Sequence, residues 1–386
     1  MVKKVLIIEC VPRYNWYNIF KNGTLTSGEE IIVEQATWNE VNMTAYDDGL
    51  VITLGPAKKP LPDTTQNKSR TIRPDFILFR TLCQHIGGLN DKKFLYGIKY
   101  CNIPSINSVD AIYGMLEKPY VYGELKRIQQ DCSDKNMFPL IEQTYYPSYK
   151  SMVISPGFPC VIKIGPYHAG YGKIKCESQA RFDDIRSIVA LHNDYCTAEP
   201  WIDWDYEIRI QKIGSDIKCF KRQSMNWKGN VGNMSKVENV EVTDEFKFMI
   251  NRASSIFGGM DICALDLVHD KKTDKFIILE LNGTAIGLVK AFEETDMNLM
   301  RDLVIAKMSK IYKKNADQKE QTNDNNNNNN DIKMDEETKE NNDDTNNDET
   351  LLQAIQKIRK LEQENNALKE SQINDKKKKD KDCVIM

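Results

Sequence analysis

The chain has 386 residues, 40% hydrophobic and 28% charged, with a formal net charge of −3. That length holds two packed domains with a sizeable core, and the composition is ordinary soluble-protein usage. Its longest apolar runs, such as VLII and FIIL, are far short of the ~18 residues that a membrane-spanning helix needs, and its ten cysteines show no Cys-x-x-Cys or Cys/His cluster, so neither disulfides nor zinc are expected.

The opening MVKKVLIIECVPRYNW has two lysines before an apolar stretch too short for a signal peptide, and reads as a buried first strand. EEIIVEQA and RPDFILFR follow as short apolar runs bounded by turn residues. With helical or loop material between them, they predict an α/β layer with a largely parallel sheet. LGPAKKPLPD marks a loop. Near residue 105 the pattern turns helical, with Ser108 as N-cap of VDAIYGMLEK, and a domain boundary is placed there. Beyond it FPCVIKIG, GKIKCE, CTAEPWID, YEIRIQKIG, DIKCFKRQS, ICALDLVHD and KFIILELNG are strand-like, many with a charge at one end. Charges at strand ends line a cleft.

Residues 158–175, FPCVIKIGPYHAGYGKIK, read as strand, loop, strand, with Lys163 on the first strand and Gly165, Gly170, Gly172 and Lys173 in the loop. Tyr167 and the residues after Lys173 rule out the Walker pattern, and Gly-x-Gly-x-x-Gly does not fit either. The spacing suits a hairpin that closes over phosphates with backbone N–H groups and a fixed ammonium. Lys118 lies upstream, AEPWID follows at the distance expected of an adenine hinge, and Asp266, Glu280 and Asn282 end two strands. Those three supply hard oxygen ligands of the kind Mg²⁺ accepts while bridging nucleotide phosphates. Ile208 and Ile210 alternate with Arg209 and fix one face of that strand inward.

The order Lys118, Lys163, glycine loop, Glu199, Arg209, Arg222, Asp266, Glu280-x-Asn282 resembles the ATP-grasp fold. VNMTAYDDG, RPDFILFR, IPSINSV, FPLIEQTYYP, TAEPWID, RIQKIG and IFGGMDICALD resemble the synapsin core over about residues 3–310. The resemblance implies an α/β (α+β ATP-grasp) architecture. A pre-ATP-grasp domain at 1–105 would precede a two-part ATP-binding module at 106–314, commonly dimeric, holding ATP with Mg²⁺ or Ca²⁺. Lys118 and Lys163 would contact the phosphates, with Gly165, Gly170, Gly172 and Lys173 of the loop around them. Glu199 and the Ile202 backbone would hold adenine, and Asp205 or Glu207 would reach the ribose. Arg209, Arg222 and Lys228 would face the triphosphate from the far side, the last from SMNWKGNVGNMS, where Gly229 and Gly232 lend flexibility. His168 would touch a phosphate; His85, His192 and His269 form no group with it.

Two functions follow from the resemblance. One is a nucleotide-dependent binding protein that organises membranes or vesicles, with ATP as a conformational ligand. The other is a ligase, because Asp…Glu-x-Asn is the metal set of ATP-grasp ligases that make an acyl phosphate from a carboxylate and pass it to an amine or thiol. In that case Arg209 and Arg222 would be catalytic and a small carboxylate and an amine the substrates. No nucleic-acid partner is expected.

Residues 315–350 carry twelve acidic side chains against three lysines and almost nothing apolar, the composition of a disordered linker. From 351 to 372 the a and d positions Leu351, Ala354, Ile358, Leu361, Asn365 and Leu368 predict a short coiled coil. Lys357 to Glu362 and Glu364 to Lys369 are matched for a parallel dimer. Residues 373–386 place Lys376–Lys379 before CVIM, a C-a-a-X box in which Met386 favours farnesyl on Cys383. One lipid plus a polybasic patch is a two-signal anchor, so a peripheral position on the cytoplasmic face of a membrane is expected. The lipid would replace the amino-terminal membrane-binding segment expected of animal synapsins, since the sequence opens on core-like text.

Overall fold

The computed structural model describes residues 2–9, 14–61, 64–84, 90–166, 170–224, 227–228 and 236–328. His85, His168, Gly229, Gly232, the coiled coil at 351–372 and the tail with Lys376–Lys379 and Cys383 lie outside the described residues. Contacts divide the chain into Met1–Lys319, which carries everything below except the last turns of the final helix, and Glu320–Met386.

The first region contains β1 (Val2–Glu9), α1 (Trp16–Ile19), β2 (Glu30–Ala36), β3 (Val41–Tyr46), β4 (Gly49–Leu54), β5 (Arg70–Ile72), β6 (Phe76–Arg80), α2 (Lys92–Tyr100) and β7 (Ser105–Ile106). A four-stranded sheet runs in the order β2-β1-β6-β7, every pair parallel as expected. Val5 to Ile8 and all of β6 are buried, so both read as unbroken apolar runs and not as alternation. The sequence reading missed a second, three-stranded antiparallel sheet, β3-β4-β5. Its hairpin turns at Asp47-Asp48-Gly49, where Gly49 takes a φ of 136°. Residues 55–61 of the expected LGPAKKPLPD loop follow β4 with no strand or helix.

The second region holds α3 (Val109–Gly114), α4 (Lys118–Asp131), β8 (Thr144–Tyr146), β9 (Cys160–Ile164), β10 (Lys173–Cys176), α5 (Gln179–His192) and β11 (Cys196–Pro200). After them come β12 (Trp204–Ile213), β13 (Asp216–Gln223), β14 (Lys236–Val240), α6 (Asp244–Ala253), β15 (Ile262–Asp270), β16 (Lys275–Asn282) and α7 (Glu293–Asn328). Two antiparallel sheets result, β10-β9-β11-β8 and β14-β13-β12-β15-β16. Ser108 does cap α3, accepting from the Ala111 N–H at 3.1 Å. The expected helix, however, breaks in two. Gly114 lies so close to the Phe257 ring that a Cβ would sit 2.6 Å from it, and the chain turns there before α4 restarts with Pro119 in its first turn.

Ile208 and Ile210 of β12 enter the larger core with Leu265, Leu267 and Ile278, each such buried side chain stabilising by roughly 2 kcal/mol. Their burial aims Arg209 at the opposite face. One further correction concerns residues 315–328, expected to be linker, which continue α7. Only its first half, with Ala316, Gln318, Lys319, Glu320 and Gln321, has the helix propensity that the reading of charge and polarity ignored; the asparagines that follow do not favour a helix.

Candidate functional site

A cleft is lined by β9, β10 and β11 on one side and by β12, β13, β15 and β16 on the other, with the start of α4 at its end. Register sets the chemistry. Arg209 stands opposite Asp266, Asp266 opposite Glu280, and Glu207 opposite Arg222. Neighbouring strands thus deliver two guanidiniums and three carboxylates in a row.

Asp266 is the centre of this row. Arg209 grips it bidentately, Nε to Oδ1 and Nη2 to Oδ2, each at 2.7 Å. The Arg222 Nη2 donates to Oδ1 at 2.8 Å, and the Asn282 Nδ2 to Oδ2 at 2.8 Å. Burial opposes ionisation of Asp266, but the two guanidiniums outweigh it and hold the carboxyl below the usual range. Burial likewise opposes the charge on Arg209, and Asp266 outweighs it, raising the Arg209 pKa. Burial dominates at Glu207, whose pKa rises although Arg222 lies 3.4 Å away.

The expected lysines are also drawn together. Lys118 donates to Glu280 Oε2 at 3.1 Å, and Lys163 to the buried Glu199 Oε1 at 2.5 Å. Lys173 begins β10 instead of lying in the loop, and pairs in register with Lys163. Glu280 raises its pKa against the opposition of burial, with Glu199, Glu207 and Asp266 adding to the field. Gly165, Gly170 and Gly172 have φ of 63°, 81° and 69°, the left-handed region that a tight loop demands and that glycine enters without strain. Ile202 and Lys228 line the cleft beside Glu199.

Asp205 is not brought to the cleft. A register shift between Trp204 and Glu207 turns it away, and its Oδ1 meets His269 Nδ1 at 2.9 Å while that ring stacks on Tyr206. Glu207 alone of the two ribose candidates lines the cleft. Three contributors were missed. Gln143 donates to Glu199 Oε1 at 3.0 Å, and Trp201 and Trp227 meet edge to face at 5.5 Å beside the hinge. Both tryptophans stood in quoted motifs, AEPWID and SMNWKGNVGNMS, and an aromatic next to an adenine hinge was the available signal.

Among the described residues, no group of three or more His, Cys, Asp or Glu is arranged to hold a metal alone. Asp266, Glu280 and Asn282 nevertheless bring two carboxylates and an amide to adjoining strand positions, a hard-oxygen set that fits Mg²⁺ once phosphates complete the shell.

The sheets and the charged cleft between them are those of an ATP-grasp protein. Among solved structures, the fold is similar to the VanG D-Ala:D-Ser ligase from Enterococcus faecalis, with a TM-score of 0.54 and 11% identity over 80% of this chain and 100% of that one. It is also similar to the ATP-grasp ligase PsnB complexed with a phosphomimetic variant of minimal precursor, Mg and ADP, with a TM-score of 0.52 and 14% identity over 79% and 98%. At such identities the likeness is one of fold. Residues 1–105 match the synapsin pre-ATP-grasp domain and 107–310 the synapsin ATP-binding domain. Synapsin of Drosophila melanogaster is 33% identical over 304 residues, which are 77% of this chain and 29% of that protein. The chain belongs to the synapsin family, and spans under a third of that relative's length.

Proposed function

We propose that the cleft binds ATP with a divalent metal, Mg²⁺ or Ca²⁺, and that the protein is a nucleotide-dependent membrane- or vesicle-associated binding protein. The observation that carries the nucleotide reading is the pairing of four of the expected phosphate cations with an expected adenine or metal carboxylate: Lys163 with Glu199, Lys118 with Glu280, and both arginines with Asp266. In the loaded site the phosphates would take Lys118, Lys163, Lys173, Arg209, Arg222 and Lys228. The metal would take Asp266, Glu280 and Asn282. Glu199, the Ile202 backbone and Trp201 would hold adenine, and Glu207 the ribose. Either ligand alone strands half the network, since nucleotide without metal leaves carboxylates unpaired and metal without nucleotide leaves guanidiniums unpaired. ATP and metal together should therefore raise the melting temperature by more than the sum of their separate effects. Additive shifts would refute the exchange.

The attachment reading rests on sequence. Farnesyl at Cys383 with Lys376–Lys379 would tether the protein to an anionic cytoplasmic leaflet, and a homodimer through the core and residues 351–372 would double the lipid. Fractionation of cells expressing the intact chain and Cys383→Ser, with mass spectrometry of the carboxyl-terminal peptide, tests it. An unmodified Cys383, or a serine variant that stays on membranes, refutes it.

A second reading, carboxylate–amine ligation through an acyl phosphate, is favoured by a cavity of about 280 Å³ that Glu280 and Asn282 of the metal set line. Thr81, Met115, Arg209, Glu280 and Asn282 are among its lining residues. ATP-dependent ADP release against pools of small carboxylates and amines, abolished by Glu280→Ala, would establish it.

A further inference from the structure

We propose that the cavity between residues 81–84, α3 and residues 281–287 is a binding site for a small monocarboxylate with a branched apolar tail. This deepens the ligation reading by naming its carboxylate, and rests on that reading for turnover alone. At about 280 Å³ the cavity lies just under the ~300–1,000 Å³ of ordinary ligand sites, which limits the occupant to a few carbons beyond a charged head. Leu82, Ile112, Met115, Leu116, Leu281 and Ile286 make its walls apolar. The polar groups beside them are committed elsewhere. The Asn107 amide donates to the Ile262 carbonyl at 2.7 Å, and its oxygen accepts from the N–H groups of Asp261 and Ile262 at 2.9 Å each. Thr81 donates to the Leu82 carbonyl, Thr284 to that of Phe79, and the Gln84 amide to Glu117. Arg80 takes the carbonyls of Thr284 and Ile286. Glu280, the one acidic side chain among the described lining residues, is paired with Lys118.

Arg209 is the exception, and the one cation among the described lining residues. Its Nε and Nη2 are spent on Asp266, whereas Nη1 makes no hydrogen bond among the described residues and keeps accessible surface. Arg209 lines this cavity and not the two pockets of the nucleotide cleft, so the open nitrogen is turned here. On the nucleotide reading, Nε and Nη2 would pass from Asp266 to phosphate and Nη1 would stay with the cavity. A carboxylate at Nη1 gains a charge-assisted hydrogen bond, and its tail leaves water for the apolar walls. An alcohol of the same shape forgoes the charge. An amino acid brings an ammonium group that must compete with Lys118 for Glu280.

The test is a ligand-observed NMR titration of the full chain at neutral pH and constant ionic strength. The probes are isovalerate, isoamyl alcohol, leucine and acetate, with and without ATP and Mg²⁺. Isovalerate should bind saturably, and each of the other three at least tenfold more weakly. Leu82→Asp, at a half-buried wall position, should weaken isovalerate at least tenfold. Arg209→Lys keeps a cation for Asp266 but removes Nη1, and should weaken it severalfold. Absence of saturation by isovalerate, equal binding of the alcohol or of leucine, or undiminished binding in Leu82→Asp overturns the proposal. Should Leu82→Asp fail to fold, undiminished binding in Arg209→Lys overturns it equally. Release of ADP in the presence of amines is scored separately: isovalerate that binds without provoking release upholds the site and sinks the ligation reading alone.

Discussion

Two clusters of buried charge differ in what they are tied to. In the first sheet, Glu9 accepts from the Trp16 indole at 2.8 Å and from Gln35 at 2.7 Å, while Arg80 donates to the carbonyls of Thr284 and Ile286. In the cleft, Asp266 is held by Arg209, Arg222 and Asn282, and Lys163 and Lys118 by single carboxylates. Indole and backbone partners cannot leave without unfolding something. Side-chain counter-ions can be exchanged for a ligand of the same sign. The first cluster therefore fastens the two domain types together, through the loop after β16, and the second is a site at rest. Burial alone does not separate the two; the identity of the partner does.

The largest effect should come from breaking the cleft at its centre. Asp266→Ala strands two guanidiniums in a buried place, a cost of ~3–5 kcal/mol by analogy with other buried pairs that lose one member. Urea denaturation should read that loss, and the synergy of ATP with metal should vanish. A stable variant that still binds both would mean the arginines have other partners in solution.

Arg80→Met tests the other cluster. It leaves two carbonyls and Glu9 without their cation and should cost about 3 kcal/mol, while the affinity for ATP with metal stays within severalfold. A stability loss near zero would remove the distinction drawn above. Lys163→Ala comes next. It should abolish most of the melting shift given by ATP with Mg²⁺, yet destabilise the ligand-free protein by only ~1–2 kcal/mol, because Gln143 still donates to Glu199. A full shift in that variant would take the phosphates away from the hairpin.

The sequence made the cleft legible where periodicity and strand ends carry the chemistry. Ile208 and Ile210 flanking Arg209, the glycines between Lys163 and Lys173, and Asp266 paired with Glu280-x-Asn282 could each be read without coordinates. What stayed hidden depends on registers that a linear text does not display. The shift after Trp204 moved Asp205 to the wrong face. Arg80 meets carbonyls more than two hundred residues away.

The smallest effect concerns Glu207, which sits in the same row as Asp266 but is shifted the opposite way. Asp266 has a folded pKa below its unfolded value, so its stabilisation is present above about pH 4 and is lost as pH falls through the depressed value. Glu207 is raised by burial, so its ionisation works against folding above its raised pKa, and that penalty is absent below the ordinary carboxylate range. Glu207→Gln removes the penalty and leaves Arg222 bonded to Asp266. The variant should therefore melt slightly higher than the parent at pH 7, and the gain should shrink to nothing as pH falls below about 4.5. Melting curves at half-unit pH steps without nucleotide decide this. A gain that persists at pH 4, or a loss at pH 7, would mean that Glu207 acts as a counter-ion for Arg222, and the row would then be held by two carboxylates where the buried geometry assigns one.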